Sequence, residues 1–163
     1  MEFKNFEGLK IYNTRKELTI AFIQKGSVQL FSTCDSIKHK TLTYAVIPDL
    51  ERYSERNKIG FESLEFENES QHISNGIGVN ISILNTNNLT LNNSDLLILR
   101  NNSNVPDNVK ASLTIFDGSN SWKHIQESMV RLKAQNRSYY ILKDNFAYVW
   151  DSRESWKRQV YPF

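Results

Sequence analysis

The chain has 163 residues, of which 39% are hydrophobic and 23% charged, and its formal net charge is +2. This composition excludes an intrinsically disordered chain, and the length predicts a single globular domain over residues 1–163 with a substantial core. No apolar run could cross a bilayer, and the first residues do not resemble a signal peptide. The lone Cys34 excludes an internal disulfide, so we expect a protein that is not secreted and works in a reducing compartment.

The first part of the chain is predicted to be strands joined by short polar turns. Strands are predicted at residues 9–12, 18–23, 28–33 and 41–47, which are rich in apolar and β-branched residues, with alternation in the third. Lys25-Gly26 is a turn signal, so we expect the second and third strands to form a hairpin. Pro48 ends the fourth strand, and the charged segment 49–58 is expected to form a helical turn.

The middle of the chain is acidic and rich in asparagine. Phe61, Leu64 and Phe66 are interleaved with glutamates, which predicts an edge strand with an acidic outer face. Further strands are predicted at residues 76–84, 89–91 and 96–99. Asparagines crowd the segments between them, as is typical of tight β-turns, because asparagine tolerates left-handed backbone conformations.

The segment 109–152 contains the one long helix that the sequence predicts. A β-branched run at 111–116 ends at the turn signal Asp117-Gly118, and apolar residues then recur at helical spacing, at Trp122, Ile125, Met129 and Leu132. We therefore predict an amphipathic helix at about 121–136, followed by a C-terminal β-hairpin of residues 139–142 and 146–150. The predicted fold class is α+β, a mainly antiparallel β-sheet, arranged as a sandwich or open barrel, with this one helix.

Charge is distributed unevenly along the chain. Residues 1–60 carry 10 basic and 7 acidic residues (net +3), residues 61–108 carry 1 and 6 (net −5), and residues 109–163 carry 9 and 5 (net +4). This layout predicts faces of opposite sign that meet on self-association, or a basic face that contacts phosphates. A surface on which charges merely solvate the protein is the competing interpretation.

Two sets of residues are candidates for binding. Basic residues on and after the helix are interleaved with aromatic ones, as in proteins that bind the phosphates of nucleic acids or of anionic lipids. This set comprises Lys123, Arg131, Lys133, Arg137, Arg153, Lys157 and Arg158. Apolar residues near the end of the sequence are candidates for self-association, namely Trp156, Val160, Tyr161 and Phe163. An ordinary basic helix face and a tail that packs on its own core are the competing interpretations.

The sequence contains no recognisable catalytic motif. The histidines His39, His72 and His124 are far apart and do not have the spacing of metal ligands. His124 lies four residues before Ser128, but a Ser–His pair on one helix lacks an orienting acid. The glutamates in Glu62–Glu69 form a conceivable acid/base or cation site, although a solvated edge strand more often explains such a run. We therefore expect no enzyme activity, no metal and no cofactor.

The last third of the chain resembles a known family. The strand Leu113–Asp117 is followed by an amphipathic helix, an aliphatic strand, the strand Ala147–Ser152 and then Trp156-Lys157. This order is similar to the C-terminal end of rhabdovirus matrix proteins. The chain has neither the long Lys-rich N-terminal tail nor the PPxY-type budding motif of the animal viruses, which favours a plant or invertebrate rhabdovirus.

The resemblance implies a non-enzymatic viral structural protein. Such a protein forms homo-oligomers, bridges the viral nucleocapsid or RNA and the anionic inner membrane surface, and is located in the virion and the host cytoplasm or nucleus. Two alternatives stay open: a viral jelly-roll coat or movement protein that binds single-stranded RNA, and a small bacterial immunity or interaction module. A hydrolase that uses the strand Glu62–Glu69 is a further alternative.

Overall fold

The computed structural model describes residues 2–65, 70–73, 77–85 and 93–156. They form two compact units, the first from residues 2–65 and Phe146–Ser155, and the second from the intervening chain together with Trp156. Each unit combines a β-sheet with helix, so the predicted α+β class is confirmed.

Ten strands and two α-helices occur in the described residues. In chain order they are β1 (Glu7–Thr14), β2 (Glu17–Gln24), β3 (Ser27–Ser32), α1 (Ile47–Leu50), β4 (Ile59–Ser63), β5 (Ser70–Ile73), β6 (Ile81–Leu84), β7 (Ser94–Leu99), β8 (Ala111–Phe116), α2 (Trp122–Ala134), β9 (Tyr139–Ile141) and β10 (Ala147–Asp151). A π-helical turn, Leu42–Val46, leads into α1, and 3₁₀ turns occur at Arg56–Lys58 and Leu142–Asp144.

The first unit contains a five-stranded sheet in the order β10-β1-β2-β3-β4. Neighbouring strands are antiparallel except β3 and β4, which are parallel. Lys25 and Gly26, in the turn between β2 and β3, have φ values of 44° and 89°. Two-residue hairpin turns of this kind need left-handed backbone, and the hairpin predicted for the second and third strands is confirmed. β4 lies at the edge of the sheet, as predicted for the segment that begins near Phe61.

Residues 41–47, which the sequence analysis predicted as a strand, are helical. Leu42, Val46, Ile47 and Leu50 are buried and pack into one core cluster with residues of the sheet. A strand would direct alternate side chains to opposite sides, whereas a helix places all four on the side that faces the sheet. Packing on the sheet therefore overrides the β propensity of the segment.

A buried ion pair links this helical segment to the sheet. Lys10 on β1 is 4% exposed, and its ammonium group is paired with the carboxylate of Asp49 on α1. The hydroxyl of Tyr12 donates a hydrogen bond of 2.6 Å to Asp49 Oδ2. Burial, together with this hydrogen bond, raises the pKa of Tyr12 well above its usual range. The charged groups can stay buried because they are paired and hydrogen-bonded.

The second unit contains a five-stranded sheet in the order β5-β6-β7-β8-β9. α2 connects β8 to β9, which are parallel and so need a long crossover. The apolar side of α2, formed by Ile125, Met129 and Leu132, packs in one core cluster with strand residues that include Leu99 and Phe116. α2 lies within the predicted range 121–136, so the predicted amphipathic helix is confirmed.

Two finer expectations are wrong. The predicted C-terminal hairpin does not form, because β9 pairs with β8 in the second unit whereas β10 pairs with β1 in the first. The sheet of the second unit is not mainly antiparallel, because three of its four described pairings are parallel. The strand predicted at 89–91 lies outside the described residues. Throughout the described ranges, each helix is too short or too polar to cross a bilayer.

Candidate functional site

Polar side chains collect at one edge of the second unit's sheet. β6, β7 and β8 are parallel and in register, so that Leu84, Leu99 and Phe116 are neighbours at their carboxyl ends. The residues that follow these three ends are Asn85, Arg100 and Asp117. Ligand sites of sheets with parallel strands usually lie at this carboxyl edge, which makes it the first place to look for function.

An ion pair occupies the centre of this edge. Arg100 Nε donates to Asp117 Oδ2 at 2.6 Å, and the two side chains are only 6% and 1% exposed. Arg100 also donates to Asn85 Oδ1 at 3.3 Å, and the backbone N–H of Ser119 donates to Asp117 Oδ1 at 3.0 Å. Burial raises the pKa of Asp117, and the positive charge of Arg100 opposes that rise. The pair thus holds the ends of β7 and β8 together from inside the protein.

A second set of contacts attaches the start of α2 to the end of β7. Asn120 is 1% exposed and donates from Nδ2 to the carbonyl of Leu99 at 2.8 Å, while its Oδ1 accepts the N–H of Asn102 at 3.0 Å. Asn102 Oδ1 in turn accepts the N–H of Ser121 at 2.8 Å. Asn101 and Asn102 both have positive φ, 51° and 59°, an arrangement that asparagine tolerates better than most residues. These bonds fix the position at which α2 begins.

An exposed aromatic ring and two lysines lie at the rim of this network. Trp122, the first residue of α2, is 42% exposed, and Lys143 Nζ lies 5.6 Å from the centroid of the Trp122 ring. Lys143 follows the carboxyl end of β9 and donates to the carbonyl of Asn120 at 2.7 Å. Lys123 is exposed next to Trp122. We call Trp122, Lys123 and Lys143 the rim site. It presents an exposed indole ring with the Lys143 ammonium group over one of its faces, a combination that suits bases and phosphates.

His124 lies in a shallow cleft of about 140 Å³ lined also by residues such as Glu127, Ser128 and Arg131. His124 Nε2 lies 2.8 Å from the carbonyl oxygen of Ser103 and 3.4 Å from Ser128 Oγ. A carbonyl oxygen can only accept a hydrogen bond, so Nε2 carries a hydrogen and donates a hydrogen bond to the Ser103 carbonyl. His124 Nε2 is therefore unable to accept a proton from Ser128, and the pair does not form a nucleophile and base.

The predicted phosphate-binding residues of α2 have different surroundings. Arg131 forms an ion pair with Asp107, and hydrogen bonds from Gln135 and Arg131 hold the pKa of Asp107 below its usual range. Arg137 donates to the carbonyls of Pro106 and Val109 at 2.9 and 3.1 Å, which uses its guanidinium to hold a loop. Lys123 and Lys133 are both exposed. Of the predicted residues that the structure describes, Lys123 is the one that follows Trp122 directly in α2, and it is exposed.

Arg153 and Trp156 are the other predicted binding residues that the structure describes. Arg153 is in the first unit and pairs with Asp151 at 2.6 Å. Trp156 is half-buried, and its proposed role in self-association stays a prediction. The remaining predicted residues lie outside the described ranges, namely Lys157, Arg158, Val160, Tyr161 and Phe163. Of the run Glu62–Glu69, residues 66–69 also lie outside them. In the part of the chain that the structure describes, no three His, Cys, Asp or Glu side chains are grouped as a metal site would need.

A comparison with protein-family models decides the family. The model described as ComEC C-terminal domain matches residues 9–152, which is most of the chain. The chain belongs to the ComEC C-terminal domain family. This is a bacterial competence family, so the resemblance to rhabdovirus matrix proteins is wrong, and with it the expected viral structural function and virion location. The resemblance depended on the order of a few strand residues around one helix, which carries little family information. Neither the curated proteins nor the solved structures gave a significant match.

Sequence reasoning missed the Arg100–Asp117 pair, Trp122 as an exposed residue, and Lys143. A usable signal was present, because Asn85, Arg100 and Asp117 each directly follow an aliphatic or aromatic strand end. Recognising those strands as parallel would have placed the three polar residues at one edge. Trp122 was assigned to the apolar stripe of the helix, but it lies at the first position of α2, where a side chain can project beyond the core.

Proposed function

We propose that this chain is a DNA-contacting module that serves DNA uptake in bacteria, and that it acts by binding rather than by catalysis. Membership of the ComEC C-terminal domain family supports the connection with competence and DNA uptake. Among the alternatives that the sequence left open, a bacterial interaction module agrees best with this family.

The observation that carries the DNA contact is the rim site. An indole that is 42% exposed offers a face on which a base can stack, and stacking does not depend on base identity. Lys143, whose ammonium group lies over the ring, and Lys123, the next residue of α2, supply positive charge for the phosphates. Bases of a duplex are already stacked on one another, so the site favours a single strand. Uptake of DNA of any sequence requires a contact of this sequence-tolerant kind.

The interior of the same edge supports binding over catalysis. At the place where a substrate pocket would lie, Arg100 and Asp117 neutralise each other, and Asn120 bonds to backbone groups. The Ser128 hydroxyl has no base at His124 Nε2, because that nitrogen donates a hydrogen bond to the carbonyl oxygen of Ser103. The network therefore acts as a scaffold that holds the rim site, and the chemistry available to solvent is that of an aromatic ring and ammonium groups.

Fluorescence anisotropy with a labelled single-stranded oligonucleotide of mixed sequence tests the proposal. Trp122→Ala should weaken binding by about 1–3 kcal/mol, roughly 5- to 150-fold in Kd. Lys123→Gln should lower the slope of log K against log salt by about 0.7, as expected for one phosphate contact on a single strand. Val130→Ala is the matched control, because Val130 is a 71% exposed apolar residue on the same helix and outside the rim site.

Equal affinity of Trp122→Ala and the unaltered protein would refute the rim site. Binding to duplex as tightly as to single strand would also contradict stacking on Trp122. Complete absence of DNA binding would refute the proposal and would favour a module that binds a protein partner.

A further inference from the structure

The helical segment of the first unit has an outward face that the proposed DNA contact does not use. Lys40, Tyr44, Pro48 and Arg52 follow one another at intervals of four residues, and all four are exposed. Tyr44 is 79% exposed, although it lies in the π-helical turn whose Leu42 and Val46 are buried. We call these four residues the outward stripe. An exposed aromatic ring on a segment whose other side is fully packed is a candidate contact surface.

Positive charge is concentrated at the start of the outward stripe. The sequence contains no acidic residue between Asp35 and Asp49, while Lys38, His39 and Lys40 are consecutive and exposed. Within the described ranges, neither Lys38 nor Lys40 takes part in an ion pair. These lysines can therefore interact with an external anion without first losing an internal partner.

At the far end of the stripe the charge of Arg52 is compensated by neighbouring acids. Arg52 is paired with Glu2 at 2.8 Å and with Asp49 at 3.5 Å, so its charge is largely compensated. Its guanidinium lies 4.8 Å from the centroid of the Phe3 ring, and Phe3 is 40% exposed. Among the described residues, the outward stripe thus offers lysines without an internal ion pair at its start and one exposed aromatic ring, groups that suit the anionic headgroup region of a membrane.

We propose that the outward stripe of the first unit binds the surface of an anionic phospholipid membrane. Lys38 and Lys40 contact lipid phosphates, and the Tyr44 ring inserts at the headgroup level, where amphipathic aromatic rings are favoured. Among the exposed residues near Tyr44 in sequence, Lys40 supplies a charge, and Ala45 and Pro48 have side chains without a hydrogen-bonding group. Apolar insertion therefore suits this surface better than the reading or stacking of nucleic-acid bases does. The proposal is independent of the rim site, which belongs to the second unit.

Vesicle flotation with the unaltered 163-residue chain tests this proposal. Vesicles of phosphatidylcholine with about one third phosphatidylglycerol should bind the protein, and vesicles of phosphatidylcholine alone should bind it far less. Each lysine near an anionic surface is worth roughly a fivefold change in partitioning, so Lys38→Gln with Lys40→Gln should lower the partition coefficient about 25-fold. Tyr44→Ser should weaken binding to the anionic vesicles several-fold with both lysines still present.

A charge-matched control separates this surface from general attraction. Arg15→Asn with Lys25→Asn removes two exposed charges of the first unit at left-handed turn positions that asparagine tolerates. This control should retain vesicle binding to within about twofold, as its charges lie outside the outward stripe. No binding of the unaltered protein to anionic vesicles, or an equal loss in the control, would overturn the proposal. Binding of single-stranded DNA that depends on Lys38 and Lys40 would assign the surface to nucleic acid instead.

Discussion

The buried pair Arg100–Asp117 gives the sharpest test of the scaffold beneath the rim site. Arg100→Met removes the cation but keeps most of the apolar stem, and it leaves a carboxylate whose side chain is 1% exposed. Solvent cannot screen that charge, and breaking a buried pair in this way costs about 3–5 kcal/mol. With an m-value of about 2 kcal/mol per molar, the urea midpoint at neutral pH should fall by roughly 2 M.

The pH dependence of this variant identifies the lone carboxylate as the cause. Burial raises the pKa of Asp117, and Arg100→Met removes the group that opposes the rise. When the pKa of a carboxyl group is higher in the folded than in the unfolded state, the folded protein loses stability as the pH rises through the folded-state pKa. The variant should therefore be least impaired in mild acid. Asp117→Asn added to Arg100→Met should recover much of the loss at neutral pH. Arg153→Met, which breaks the pair of Asp151 with an arginine that is 81% exposed, should change the midpoint far less. A loss below about 1 kcal/mol for Arg100→Met, or one that does not change with pH, would refute the reasoning.

Two further predictions concern the sheet of the first unit and the start of α2. Gly8→Ala should lower the melting temperature sharply, because the added methyl group would overlap the backbone carbonyl of Trp150 on β10. In the control Gly60→Ala, the methyl group meets only the movable side chain of Gln29. Equal melting temperatures of the two variants would contradict the predicted clash. Ser121→Ala should reduce the free energy of unfolding by about 1 kcal/mol, as it removes the side-chain oxygen that accepts the N–H of His124, and Ser121→Asp should restore it.

Local signals in the sequence predicted the elements whose packing agrees with their own periodicity. Ile125, Met129 and Leu132 mark α2 correctly because the same three residues form its buried side. The run Thr41–Ile47 was wrongly predicted as a strand because its β-branched residues favour one, whereas the burial of Leu42, Val46 and Leu50 against the sheet requires a helix. Tertiary packing of this kind has no local signal strong enough to outweigh propensity.

Strand pairing and the candidate site could not be predicted from neighbours in sequence. The turn between β9 and β10 looks like a hairpin turn, yet the two strands join different sheets. Arg100 and Asp117 are 17 residues apart and meet because β7 and β8 are parallel, which the sequence pattern did not reveal. Trp122 and Lys143 also meet because of parallel pairing: Trp122 comes after β8 and Lys143 comes after β9, and β8 and β9 are parallel.

The pairing of β10 with β1 has a consequence for how the region matched by the family model, residues 9–152, can be joined to further polypeptide. Leu9, where the family match begins, is paired directly with Trp150, two residues before the match ends. The two boundaries of the matched region therefore lie close together, on neighbouring strands. Boundaries that are close in space allow such a region to be appended to a larger protein or inserted into one of its loops without stretching its host.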